Sequence, residues 1–199
     1  MYNTVYLKKG KEESLGRFHP WVFSGAIHHI DGRPEEGDVV RVLSADGRFL
    51  AVGHVQIGSI AVRVLSFEDI TIGRDFWYQR LSAAYDVRKS IFKQWTSGEG
   101  EPTNAFRLVH GEGDGLPGLV IDVYDRTAVM QAHSVGMHVS RHEIADALAE
   151  VLDGVVENIY YKSENTLAYK ASEDGGNGFL KGGLATADDI AVENGLRFH

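Results

Sequence analysis

Basic and aromatic residues near the amino terminus are the side chains best suited to bind another molecule. They are Lys8, Lys9, Lys11, Arg17, His19 and Trp21. Cations hold phosphates and flat rings stack on unpaired bases, a combination used in RNA recognition. A plainer interpretation makes residues 21–23 the core of a small β-barrel and the lysines its solvated edge. The residue types alone leave both interpretations open.

A glycine-rich connection in the middle of the chain matches the letter pattern of a nucleotide-binding loop. Gly113, Gly115 and Gly118 satisfy G-x-G-x-x-G within the stretch RLVHGEGDGLPGLVIDVY. That pattern holds a pyrophosphate only where a strand precedes it and a helix follows it. Here the β-branched run 119–124 follows, and Pro117 has no N–H to donate. We therefore predict a long β-hairpin whose glycines supply the positive φ angles of its turn.

The nine histidines invite a metal hypothesis. His138 and His142 are four residues apart on a predicted helix, a spacing that lets two imidazoles share one ion. No third ligand is placed nearby, and the sequence does not form H-E-x-x-H. The adjacent His28 and His29 point to opposite faces of a strand. We predict no metal site.

Hydroxyl and carboxylate side chains also lack a catalytic setting. Ser24 is outside any G-x-S-x-G motif, and turn formation accounts for Ser163. Asp114 and Asp122 bracket the predicted hairpin and could form a carboxylate pair. We favour a structural role for Asp114, in which its side chain bonds to the backbone of the glycine-rich turn.

The composition limits the class of protein. The chain has 199 residues, of which 43% are hydrophobic and 24% charged, and no cysteine, which excludes disulfides and a cysteine nucleophile within it. No apolar run is long enough to span a membrane, and the first residues do not read as a signal peptide, so we expect a cytoplasmic protein. The net charge of −8 is unevenly spread. Residues 1–72 carry 8 basic and 9 acidic side chains, whereas residues 104–199 carry 7 and 15. A polyanion would on average be repelled by the C-terminal half and would find its cations in the first part, so the asymmetry permits nucleic-acid binding.

Periodicity predicts an α+β protein. Short apolar runs with Asp-Gly turns predict a small β-barrel over residues 1–72. Apolar residues recur at helical spacing over 75–96, and 96–104 is typical of a linker, so residues 73–103 are a helix and linker. Residues 104–199 are predicted as a strand-strand-helix-strand domain, with strands at 128–133 and 159–161 and a helix at 138–152.

Two motifs in this order resemble a known family. Residues 7–11 (LKKGK) followed by 19–25 (HPWVFSG) resemble the N-terminal PUA domain of the bacterial ribosomal RNA large subunit methyltransferase I family. The stretch 106–122 resembles the start of that family's central α+β domain. The resemblance covers nearly the whole chain. The tail, residues 193–198, resembles the segment that leads into the family's Rossmann-like methyltransferase domain, so we expect the natural protein to continue beyond His199.

The resemblance implies a function for the parent protein and a narrower one for this chain. The family uses S-adenosylmethionine to methylate C5 of a cytosine in 23S rRNA, through a cysteine in the C-terminal domain. That cysteine adds to C6 of the pyrimidine. The resemblance therefore implies an RNA-docking, non-catalytic chain that binds no cofactor itself. The basic and aromatic residues named above would be its RNA-facing edge. The alternative is a stand-alone RNA-binding or protein-interaction module.

Overall fold

The structure is a computed structural model that describes residues 2–95, 103–167, 176–183, 190–193 and 195–198. Most of the predicted linker, residues 96–104, lies outside the described residues. Each helix in the described part of the chain is too short or too polar to cross a lipid bilayer.

The first part of the chain is a curled six-stranded sheet that forms a half-barrel. Its elements are β1 (Asn3–Leu7), α1 (Glu13–Gly16), β2 (Trp21–Phe23), β3 (Ile27–Asp31), β4 (Val39–Leu43), β5 (Phe49–Val55) and β6 (Ile60–Ser66). The strand order is β2-β6-β5-β4-β1-β3, in which β1 and β4 are parallel and the other neighbours antiparallel. The predicted barrel-like sheet of short strands is confirmed.

The core of the half-barrel consists of side chains that alternate with outward-facing ones along the strands. Val62 and Val64 on β6 are buried, and Arg63 between them is half-buried on the other face. Val40 and Val42 on β4 are fully buried by the same periodicity. The strict alternation on β4 specifies its register, because a slip of one residue would move Val40 and Val42 out of this core.

The second part of the chain packs helices on one face of a five-stranded sheet. Its elements are α2 (Arg74–Trp95), β7 (Ala105–His110), β8 (Leu119–Tyr124), β9 (Thr127–Ala132), α3 (Val135–Val139), α4 (Arg141–Val151), β10 (Asn158–Tyr161), β11 (Gly178–Lys181), β12 (Ala191–Glu193) and β13 (Leu196–Phe198). The order is β11-β10-β9-β8-β7, and β12 pairs separately with β13. β9 and β10 are parallel because α3 and α4 form the crossover between them.

The long helix α2 belongs to the core of the second part. Its Trp77 and Leu81 are fully buried in the same apolar cluster as Ile144 and Leu148 of α4, which lies against α2. The predicted helix at 75–96 thus exists. The apolar residues of its first half face another helix and the sheet, whereas Val87 and Ile91 farther along are exposed.

The predicted helix at 138–152 differs from the observed one. Two helices stand in its place, α3 and α4, joined at Ser140. The start is earlier because the hydroxyl of Ser134 accepts a hydrogen bond from the Met137 N–H and caps α3. The prediction was wrong about this start because it placed no cap at Ser134.

The two sheets are joined through a buried histidine. The ring of His54 on β5 stacks on Trp77 at 6.1 Å between centroids and lies directly against Gly136 of α3. Leu65 of β6 is buried in the core of the second part, and Arg80 of α2 donates a hydrogen bond to the Leu65 carbonyl at 3.3 Å. Apolar packing and hydrogen bonds therefore hold the half-barrel against the second sheet.

Candidate nucleic-acid interface

Three lysines lie on the exposed turn between β1 and α1. Gly10 supplies the positive φ angle of this turn, and the Lys11 N–H closes it on the Lys8 carbonyl at 3.0 Å. Lys8 Nζ donates to the carbonyl of Gly25 at 3.0 Å, which anchors one ammonium group to the neighbouring loop. Lys9 projects from the same turn, and none of the three forms an ion pair with a carboxylate of the described residues. These charges are therefore available to a polyanion.

Arg17 follows α1 and is exposed. Its guanidinium lies 3.5 Å from the carboxylate of Glu13, and both side chains are largely in solvent. An exposed pair of this kind contributes little free energy, so the guanidinium can exchange Glu13 for a phosphate at small cost.

His19, Trp21 and Phe23 form a cluster of rings at the start of β2. The centroid distances are 5.6 Å from His19 to Trp21 and 6.3 Å from Trp21 to Phe23, both near edge-to-face. The Trp21 N–H donates to His19 Nδ1 at 3.2 Å, so Nδ1 is the acceptor in this contact. In a neutral imidazole the single N–H is then on Nε2. The ring of His19 is thus held in place with its Nε2–H free of this contact.

The interpretation of residues 21–23 as core is wrong for two of the three. Val22 is 3% exposed and packs inside the half-barrel, whereas Phe23 is 48% exposed and Trp21 half-buried on the opposite face. Strand alternation explains this split, because neighbours on a strand face opposite sides. The aromatic rings belong to the surface, as RNA contact requires.

Trp21 connects the ring cluster to the glycine-rich connection of the second part. Its Nε1 donates to Glu112 Oε1 at 2.9 Å. Trp21 is also opposite Arg63 in the pairing of β2 with β6. The surface edge predicted from the sequence therefore continues into a cleft between the half-barrel and the second sheet.

This cleft has a volume of about 210 Å³ and carries both signs of charge. Arg63, His110 and His133 line it together with Glu112. Arg63 donates to Gln56 at 2.8 Å, and burial lowers its pKa while the nearby Glu112 carboxylate opposes that shift. Sequence reasoning missed these residues, since only the strand register and the hairpin fold bring them together. The outward position of Arg63 was the one available signal.

The glycine-rich connection is a structural turn. A short 3₁₀ turn covers Gly111–Asp114, and Gly115 follows in the left-handed region with φ of 69°. The Asp114 carboxylate accepts from the His110 N–H at 2.6 Å and pairs through both oxygens with Arg88 of α2. The predicted hairpin and the structural role of Asp114 are both confirmed.

The remaining candidates for chemistry have structural partners. Asp122 pairs with Arg107 at 2.8 Å and so is not paired with Asp114. His138 is buried beside the Tyr161 hydroxyl at 2.7 Å, while His142 is exposed on α4. The Ser163 hydroxyl accepts from the Ala132 N–H at 2.8 Å.

The rings of His28 and His29 on β3 contact each other, although strand alternation predicted that they point to opposite faces. His29 stacks on Tyr6 at 4.5 Å, and His28 meets His29 edge to face. Across the described ranges no three acidic or histidine side chains converge in a way that could hold a metal ion.

Known proteins resemble both the half-barrel and the chain as a whole. Residues 5–67 match the family model of the PUA-like domain. The chain is 33% identical over 198 residues to ribosomal RNA large subunit methyltransferase I of Vibrio vulnificus, covering 99% of this chain and 48% of that protein. The protein of the same name from Shewanella amazonensis is 36% identical over 195 residues, which are 97% of this chain and 47% of that protein. Over nearly its whole length the chain is therefore similar to proteins named ribosomal RNA large subunit methyltransferase I.

A solved structure agrees with this relationship at the level of fold. A candidate SAM-dependent methyltransferase from Streptococcus mutans superposes with a TM-score of 0.75 at 19% identity. The superposition covers all of this chain and 48% of the Streptococcus mutans protein. The chain spans about half the length of the curated relatives it matches. All six residues predicted to contact RNA lie within the PUA-like domain, residues 5–67.

Proposed function

We propose that this chain is the RNA-docking portion of an S-adenosylmethionine-dependent rRNA methyltransferase that modifies C5 of a cytosine in 23S rRNA. The observation that carries the proposal is the exposed edge of the PUA-like domain. On it three lysines without ion-pair partners among the described residues precede a cluster of surface rings. The names of the relatives supply the substrate class.

The lysine turn and the ring cluster have separate roles in this proposal. Lys8, Lys9, Lys11 and Arg17 hold phosphates, and His19 and Trp21 contact a base or the end of a stem. In this proposal residues 1–72 bind RNA. The helix and linker of residues 73–103 connect them to the α+β part, residues 104–199, which sets the distance to a catalytic domain. We place this interaction in the cytoplasm.

The glycine-rich connection does not resemble a loop that binds S-adenosylmethionine. It leads into strand β8, so no helix begins directly after it, and Pro117 removes a donor from the turn. The chain also has no cysteine to add to C6 of a cytosine. These features support a non-catalytic role for these residues within the parent protein.

Replacing Lys8, Lys9 and Lys11 together by alanine tests the docking role. We expect the affinity for a 23S rRNA fragment to fall roughly tenfold at moderate salt, because three phosphate contacts are lost. The slope of log affinity against log salt should fall by about 2, at roughly 0.7 per contact on single-stranded RNA. Fluorescence anisotropy over a salt series measures both.

The matched control is a variant with Lys89, Lys162 and Lys181 replaced by alanine, which removes the same charge from exposed positions in the second part. We expect a small change in affinity and an unchanged slope. Equal losses in the two variants would mean that the lysine turn is not the contact and that only net charge matters.

A second expected outcome concerns catalysis. Incubation of the chain with methyl-labelled S-adenosylmethionine and unmodified 23S rRNA should transfer no label, because the chain lacks a cysteine nucleophile. The Vibrio vulnificus relative serves as the positive control in the same assay. Incorporation above the blank would contradict the docking-only role.

A further inference from the structure

The end of α1 places a phenylalanine where a protein chain ordinarily places glycine. The Phe18 N–H donates to the Leu15 carbonyl at 2.9 Å, and the His19 N–H donates to the Ser14 carbonyl at 3.0 Å. These two bonds form a Schellman motif, whose central residue takes a left-handed conformation. Phe18 is that residue, with φ of 60°. A positive φ at a bulky side chain is strained, and glycine would relieve the strain.

Burial of its ring does not compensate Phe18 for this strain. The side chain is 73% exposed, and its described ring contact is an edge-to-face approach to Phe67 at 5.1 Å. An exposed, conformationally strained aromatic residue adds little to the stability of the fold. Backbone strain of this kind gathers at sites of function.

Phe18 forms one wall of a cavity of about 450 Å³ between the end of β6 and helix α2. Phe67 and Phe76 add further aromatic surface, and the Arg80 guanidinium lies over the Phe76 ring at 5.4 Å. Arg80 also donates to the Leu65 carbonyl at 3.3 Å, which holds it in place. Glu68 and Gln79 line the same cavity. The volume is within the range of small-molecule sites, about 300–1,000 Å³.

We propose that this cavity receives one unpaired nucleobase of the bound RNA, stacked on Phe18. The proposal rests on the docking function above and adds a base-contacting site to it. Aromatic walls offer stacking surface, while Arg80, Glu68 and Gln79 offer donors and acceptors to the edge of a base. A purely apolar occupant would bury those polar groups without partners.

The neighbours of Phe18 favour RNA as the source of this base. Arg17 and His19, on either side in sequence, belong to the predicted RNA-facing edge, and Arg17 is exposed next to the ring. Arg17 and Phe18 are consecutive residues. They could therefore contact the phosphate and the base of a single nucleotide. The cavity is therefore linked through Phe18 to the segment that carries the predicted RNA-facing edge.

Phe18→Gly separates binding from folding, because glycine suits the left-handed position. We expect the urea midpoint of unfolding to be equal to or higher than that of the original chain. The affinity for a 12-nucleotide single-stranded RNA should fall at least fivefold, since stacking on one ring is lost. Phe18→Trp should keep the affinity, because indole stacks as well as phenyl.

Two matched comparisons make the result specific to a base. An abasic RNA of the same length keeps the phosphates, so the original chain and Phe18→Gly should bind it equally and with the same salt slope. Ile57→Ala removes another apolar side chain of the half-barrel, 79% exposed and outside this cavity, and should leave RNA affinity unchanged.

The outcomes distinguish this proposal from the docking function. If Phe18→Gly binds the 12-nucleotide RNA as the original chain does while the lysine variant is weakened, the base site is overturned and docking stands. If the original chain binds neither RNA, docking fails and the base site fails with it. If Phe18→Gly changes self-association measured by sedimentation and leaves RNA affinity intact, the cavity is a protein contact and the proposal is overturned.

Discussion

Gly136→Ala is expected to destabilise the folded chain by about 2–3 kcal/mol, the cost of overpacking a well-packed interior. A Cβ at position 136 would lie 2.5 Å from the Cβ of His54 and closer still to its ring. Ordinary contact between carbon atoms is about 3.5–4.0 Å. The ring cannot swing away easily, because it is 2% exposed and stacked on Trp77. Urea unfolding at pH 7.5 measures the loss.

The matched control is Gly16→Ala, also at a helical glycine. The new methyl there meets no atom within 4 Å, so we expect little change in the free energy of unfolding. The double variant Gly136→Ala, His54→Ala removes the ring that the methyl would strike. We expect it to be less destabilised than the two single variants added together, with a coupling of about 1 kcal/mol or more. Strict additivity would contradict a direct contact between the two positions.

This contact also matters for docking, because it fixes the half-barrel relative to the second sheet. The lysine turn is on one side of the contact and helices α2, α3 and α4 are on the other. If Gly136→Ala loosens the arrangement without unfolding either part, the affinity for the 12-nucleotide RNA should fall, because the cavity beside Phe18 is lined by residues of both parts. The cleft between Trp21 and Glu112 would then open, since their hydrogen bond spans the two parts.

The sequence predicted the elements that local patterns determine. Short apolar runs with Asp-Gly turns predicted the barrel-like sheet, and the helical recurrence over 75–96 predicted α2 nearly to its bounds. The β-branched run after Gly118 correctly argued for a hairpin against a nucleotide loop. In each case the information lies within a few neighbouring residues, where periodicity and turn chemistry act.

Contacts between distant parts of the chain were beyond local patterns. Trp21 meets Glu112 across 91 residues, and His54 meets Gly136 only because two sheets pack together. The surface position of Trp21 needed the register of β2, since an aromatic triplet fits a core equally well. The motif around Phe18 was hidden for another reason, because its sequence lacks the glycine that normally marks such a helix end.

His54 should also make the stability of the fold depend on pH. Its ring is buried, and no partner for either ring nitrogen is present among the described residues. Burial, with a smaller contribution from the charge of Arg63, lowers the pKa of His54 from 6.5 to about 4. The folded state therefore resists protonation that the unfolded chain accepts, and the unfolded state binds more protons between pH 6.5 and pH 4.

The sign of the effect follows from this proton count. Folding stability falls as the pH falls from about 6.5 toward 4, by up to about 3 kcal/mol at roughly 1.4 kcal/mol per pH unit. His54→Leu removes the titrating group and keeps a side chain of similar volume in the apolar site. We expect this variant to match or exceed the original stability at pH 7.5 and to lose less on acidification.

The measurement is the difference in unfolding free energy between the original chain and His54→Leu, from urea titrations at half-unit steps between pH 7.5 and pH 4.5. Other groups titrate in both proteins, so their contributions cancel in this difference. We expect the difference to change steadily in favour of His54→Leu below pH 6.5. His142→Leu, which removes an exposed imidazole from α4, is the control. Parallel curves for the original chain and His54→Leu, or an equal change in His142→Leu, would show that His54 is not the source.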